Sequence, residues 1–72
     1  MYDELIEILS QVTGLAPERI QPDMLLYEYC DELDVAQIAV EVEDAFGIEI
    51  ADDDVYNWMN VQDIMDYIEN AK

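Results

Sequence analysis

The stretch that decides the fold is CDELDVAQIAVEVEDAFGIEI, residues 30–50. Its apolar residues return at helical spacing: Leu33, Ala36 and Val40 form one stripe, and Ile38, Val42 and Phe46 a second. Asp31 is a good N-cap, because its carboxylate can accept a hydrogen bond from an otherwise free backbone N–H of the first turn. Asp34, three residues on, is a shorter version of the acid that completes a capping box. Gly47 closes the run, since glycine takes up the left-handed conformation that ends helices at no steric cost. The pattern predicts a helix that starts just after Asp31 and stops at Gly47.

Working outward, residues 2–13 carry Tyr2, Leu5, Ile6, Leu9 and Val12 at helical spacing with acids on the other face, and Gly14 offers a stop. Residues 15–30, LAPERIQPDMLLYEYC, contain Pro17 and Pro22 and no sustained period. They predict a long loop with one short turn after Pro17, pinned to the core by Ile20, Leu25, Leu26 and Tyr29. Downstream, the IEI of residues 48–50 is too short for a strand, and residues 52–57 fit a brief helix. Asn60 then caps a last helix with Asp63 at the capping-box position, and Met59 and Ile64 stand where a hydrophobic staple would cross that cap. Ile64, Met65 and Ile68 are its core face. The expectation is an all-α single domain over residues 1–72: a small bundle of three main helices plus one short helix.

Charge dominates the composition. The net charge is −17, with Arg19 and Lys72 the only fixed cations, while 53% of residues are apolar. The apolar content favours a packed globule over disorder. The charge repels phosphate backbones and anionic membrane surfaces, and no apolar run approaches a spanning helix, so neither nucleic acid nor membrane is an expected partner. A basic protein surface is the natural complement. Cys30 is the sole cysteine, which rules out an internal disulfide and fits a reducing, cytoplasmic setting. The start, MYDELIEIL, has no basic region of the kind that opens a signal peptide. A cytoplasmic monomer is expected.

The residue inventory points away from an enzyme. There is no histidine, and the only lysine is Lys72. Ser10 and Thr13, the only aliphatic hydroxyls, therefore lack a histidine to activate them. Cys30 sits among Glu28, Asp31 and Glu32, whose charges raise a thiol pKa rather than lower it. No catalytic residue is expected. DDDVYNWMNVQD, residues 52–63, has acids at positions 1, 3 and 12 of a calcium-binding loop, but Asn57 replaces the glycine at position 6, Tyr56 stands at position 5, and the last residue is aspartate. No dedicated metal site is expected; loose divalent binding to a solvated acidic face is the alternative.

From Leu33 to Ile68 the pattern LD-x-A-Q-I-x-V-x-V-E-x-x-FGIEI-x-DDD, followed by W-x-N-V-x-D-I-x-x-YI, resembles the acyl carrier protein family. Asp31-Glu32-Leu33-Asp34 falls on that family's Asp-Ser-Leu-Asp signature. The likeness is close over the second half of the chain and weaker over the first helix, Ile20 and Pro22. It implies a four-helix carrier domain whose serine, at the start of the second helix, holds a 4′-phosphopantetheine arm. Three departures stand out. Glu32 occupies the serine's place, and a carboxylate cannot replace a hydroxyl as the phosphoryl acceptor. The preceding YEYCDE is a little shorter than usual and lacks the family's glycine. Val55 and Trp58 stand where smaller aliphatics often border the acyl cavity, so the tryptophan either fills that space or is a core substitution.

The resemblance thus implies a cofactor position at Glu32 that is not modified, and no cofactor is expected. Asp31, Asp34, Glu43 and Asp44 occupy positions that in the family face basic patches on partner enzymes, with Leu33, Ala36 and Val40 as small apolar contacts between them. Glu32 adds charge where the phosphate would lie, at a helix end that favours it. The expected function is non-covalent docking to acyl-transfer or carrier-system enzymes through this acidic second helix. Two alternatives stay open: a working carrier of fatty-acid or polyketide synthesis, loaded at another residue or altered at position 32, and an acidic divalent-cation-binding protein. A thioester on Cys30 is a further route to loading, but so short a side chain cannot reach distant active sites.

Overall fold

A computed structural model describes residues 2–71. In chain order it contains α1 (Tyr2–Thr13), a 3-10 turn (Pro17–Arg19), α2 (Leu26–Tyr29), α3 (Glu32–Phe46), α4 (Asp52–Tyr56) and α5 (Val61–Asn70). Among the described residues there is no strand, only an isolated antiparallel bridge between Leu25 and Asn60. The three long helices lie where the apolar periodicity and caps place them.

Both capping boxes form. The Asp31 carboxylate accepts from Asp34 N at 2.9 Å, and Asp31 N donates to the Asp34 carboxylate at 3.3 Å. Asn60 and Asp63 repeat the exchange at α5, at 2.9 and 3.2 Å. Gly47 ends α3 with φ +65°, its N–H donating to the Glu43 carbonyl, and Gly14 follows α1 with φ +77°, donating to Ser10. A side chain with a Cβ would be strained at both.

α1 packs chiefly on α3. Leu5 and Leu9 from α1, Val35, Ile38 and Val42 from α3, and Val61, Ile64 and Ile68 from α5 bury almost completely in one core. No polar or charged residue is buried with them among the described residues. That is how so acidic a chain folds: every carboxylate stays within reach of water.

The segment read as a long loop is more structured than its sequence suggests, and the difference has a physical cause. Residues 22–26 run antiparallel to residues 59–62: Leu26 N donates to the Met59 carbonyl, Val61 N to Met24, and Gln62 N to Pro22. These bonds satisfy the first N–H groups of α5, which a helix cannot satisfy internally. They also fix the start of α2, a single turn with no side-chain cap, too short to show a helical period. Among the described residues there are therefore two short α-helices, α2 and α4, rather than one. Ile20 and Leu26 pin the segment as expected, whereas Leu25 and Tyr29 stay nearly half exposed and Met24 and Cys30 take the buried places. Met59 is 65% exposed, so a staple onto Ile64 is not the fastening at α5. Its backbone serves instead, with Met59 N donating to the Asp63 carboxylate at 2.8 Å.

Candidate functional site

The two capped helix starts differ. At α5 the first N–H groups are taken by carbonyls of the 22–26 segment. At α3 the caps engage Asp31 and Asp34, but the N–H groups of Glu32 and Leu33 meet no acceptor among the described residues. Both side chains project into solvent, and Leu33 is 80% exposed. The first turn of α3 is thus an open, positively polarised helix end carrying a fixed carboxylate.

From this turn a groove of about 300 Å³ runs between α3 and α4. Val35, Ala39, Ile50 and Val55 are among its apolar walls, and Tyr27 and Tyr56 border it. Glu32, Leu33, Ala36, Val40 and Glu43, all predicted contact residues, line it as well. Of the others, Asp44 is exposed but off the groove, and Asp31 and Asp34 are committed to the cap of α3. Glu43 has a structural duty: its carboxylate accepts from Ile50 N at 3.1 Å and fixes the turn that brings α4 alongside α3.

α4 is fastened from its far side. The Tyr67 hydroxyl donates to the Asp54 carboxylate at 2.9 Å, with the Glu49 carbonyl a longer second acceptor at 3.4 Å. The Tyr67 ring meets Trp58 edge-on, with centroids 5.8 Å apart and planes at 71°. Trp58 is 3% exposed, belongs to the core and is not part of the groove wall, whereas Val55 is. Trp58 is a core residue, and the groove lies outside it. The Trp58 indole N–H has no hydrogen-bond partner among the described residues.

Sequence reasoning missed Tyr27, Val35, Ala39, Ile50, Asp52 and Tyr56 as groove residues. The only available signal was the pair of tyrosines, set in acidic segments outside any apolar stripe. The acids of residues 52–63 do not converge: Asp52 lines the groove, Asp54 holds Tyr67, and Asp63 holds the cap of α5. No cluster of potential metal ligands forms among the described residues. Cys30 is buried, and burial first, then the Asp34 and Asp31 carboxylates, push its thiol pKa up. This is the opposite of an activated nucleophile.

Comparison with known proteins agrees with the geometry. The model of the phosphopantetheine attachment site family matches residues 3–68. The chain is 37% identical to the acyl carrier protein of Micrococcus luteus, over 94% of this chain and 86% of that one. It is 38% identical to the acyl carrier protein of Acidothermus cellulolyticus, over 93% and 82%. A meromycolate extension acyl carrier protein from Mycolicibacterium aurum is 34% identical, over 94% and 72%. The protein belongs to the acyl carrier protein family. No helix among the described residues is long and apolar enough to cross a membrane.

The prosthetic group of that family needs a hydroxyl to attach to. Residues 30–34, at the open helix end, are Cys, Asp, Glu, Leu and Asp and offer none. Ser10 and Thr13 lie on α1, partly buried, with their hydroxyls donating to the carbonyls of Leu15 and Leu9 at 2.7 Å. The residues present do not fit a phosphodiester linkage at the start of α3.

Proposed function

We propose that this chain is a carrier-type domain that docks without carrying: Glu32 stands at the family's attachment position, and the exposed face of α3 binds basic patches on acyl-transfer or carrier-system enzymes non-covalently. The observation that supports this is the first turn of α3. It presents an exposed glutamate and no hydroxyl, yet keeps the open N–H groups and the apolar Leu33, Ala36 and Val40 that a partner can contact. A glutamate there puts negative charge where the phosphate of a loaded carrier would be, at the helix end that favours it. Steering by a −17 charge makes encounter with a basic surface fast and salt-sensitive. The role is that of a binding partner and not of a catalyst.

The test is chemical. Incubated with coenzyme A and a promiscuous phosphopantetheinyl transferase, the protein should keep its unmodified intact mass, while Glu32→Ser should gain one pantetheine arm. A stoichiometric adduct on the native sequence would overturn the proposal and make the protein a working carrier loaded elsewhere.

A further inference from the structure

A second cavity, a cleft of about 370 Å³, lies between α1 and the 3-10 turn. Asp3, Ile6, Glu7, Ser10 and Gln11 line it from α1, and Pro17 from the turn. At about 100° per residue, these α1 positions centre on the side of the helix opposite Leu5 and Leu9, which α1 buries in the core it shares with α3. The cleft therefore opens away from α3. Pro17 and the nearly buried Ile6 give it an apolar wall. Its polar lining is mostly acceptors. Asp3 and Glu7 stand one turn apart on one face of the helix, and among the described residues neither carboxylate has a hydrogen-bond or ion-pair partner. The Ser10 hydroxyl gives its proton to the Leu15 carbonyl at 2.7 Å, so its oxygen is left to accept.

An apolar wall edged by two unpaired carboxylates calls for an occupant with a methylene stem, a positive charge and several donors. Two like charges one turn apart also cost the helix some stability, and a cation set between them removes that cost. Arginine meets these needs better than lysine. Its stem packs along apolar surface, its five N–H groups fan out in one plane that can engage two carboxylates, and its guanidinium is more weakly hydrated than an ammonium. A second copy of this chain is a poor source, because the net charge is −17 and Arg19 is the only described cation. We propose that the cleft is a docking surface separate from α3, and that it takes an arginine side chain from a basic segment of another protein. Because the cleft and the exposed face of α3 look in different directions, the domain can hold a partner at each. The cleft's role does not rest on the docking function of α3.

The test is a titration of the full chain by two-dimensional amide NMR in about 0.1 M salt, where charges more than about 10 Å apart are largely screened. The probe is a blocked pentapeptide with one central arginine among alanines. The same peptide with citrulline, which keeps the shape and loses the charge, runs in parallel. The expected result is saturable binding of the arginine peptide, with shifts concentrated at residues 3–17, and citrulline weaker by about three- to tenfold, the worth of two exposed ion pairs. The Asp3→Asn, Glu7→Gln double variant should weaken the arginine peptide by the same factor. The Asp53→Asn, Glu69→Gln double variant removes as much charge at exposed positions outside the cleft, and should change binding by less than about twofold. Gln11→Lys, at an exposed position on the cleft, sets a cation there and should abolish binding, which keeps the test open if the carboxylate variant does not fold. Equal losses in the two double variants, equal binding of the two peptides, no saturable binding, or binding that survives Gln11→Lys would overturn the proposal. Shifts at residues 32–44 in place of 3–17 would overturn it as well, while supporting docking at α3.

Discussion

The surroundings of Cys30 and Tyr67 shift their titration, and both shift the same way. Burial, then Asp34 and Asp31, raise the thiol; for the phenol the hydrogen bond to Asp54 comes first. Each is neutral when protonated, and the folded state holds its proton to higher pH than the unfolded chain does. The stability this contributes is therefore complete below the unfolded values, about 8.5 for a thiol and about 10 for a tyrosine, and is lost as pH rises through the raised folded values. The urea midpoint should fall as pH climbs from about 8.5 towards 11, and the Cys30→Ala, Tyr67→Phe double variant should fall less steeply. An equal fall in the double variant would place the alkaline sensitivity elsewhere.

The elements were legible in the sequence wherever a cap or a period marked them. Asp31 with Asp34 and Asn60 with Asp63 located two helix starts to the residue, because a capping box is a local hydrogen-bond exchange written in adjacent letters. Gly47 marked an end for the same kind of reason. α2 and the 22–26 segment were not legible, since what orders them is backbone pairing to residues 59–62, which no side chain encodes. The groove was partly legible: Glu32, Leu33, Ala36, Val40 and Glu43 follow from helical spacing along α3, whereas Tyr27 lies next to that pairing and Ile50 and Asp52 reach the groove through the turn that Glu43 fixes. The same distinction predicts how α5 responds to substitution. Asn60→Ala removes a side-chain acceptor for a helix N–H and should cost about 1 kcal/mol, lowering the urea midpoint at unchanged slope. Met59→Ala, one residue earlier, should stay within about 0.5 kcal/mol, because the side chain is mostly exposed and its role is carried by the backbone. A larger loss at Met59 than at Asn60 would mean that a staple, not a box, holds this end.

At the scale of the whole molecule, charge works against the fold and, on the docking proposal, for the function. The core is wholly apolar and the Cα radius of gyration is 10.8 Å, so the acids crowd a small surface on which Arg19 is the only described cation. At 0.01 M salt the screening length of about 30 Å spans the molecule, and at 1 M it shrinks to about 3 Å, less than the spacing of most of these charges. Repulsion among carboxylates is therefore nearly unscreened at low salt and mostly removed at high salt. The melting temperature should rise between 10 mM and 1 M sodium chloride by about 4–8 °C, the shift that about 1 kcal/mol produces in a domain of this size. Magnesium or calcium should give the same rise at far lower concentration, since a divalent ion neutralises two carboxylates without a preformed site. On the docking proposal, affinity for a basic partner should move the opposite way over the same range, because salt screens attraction between molecules as it screens repulsion within one. Thermal melts and partner titrations in one salt series separate the two effects: a melting temperature flat across the series would show that the acids are already compensated by local contacts, and would remove the basis for long-range steering as well.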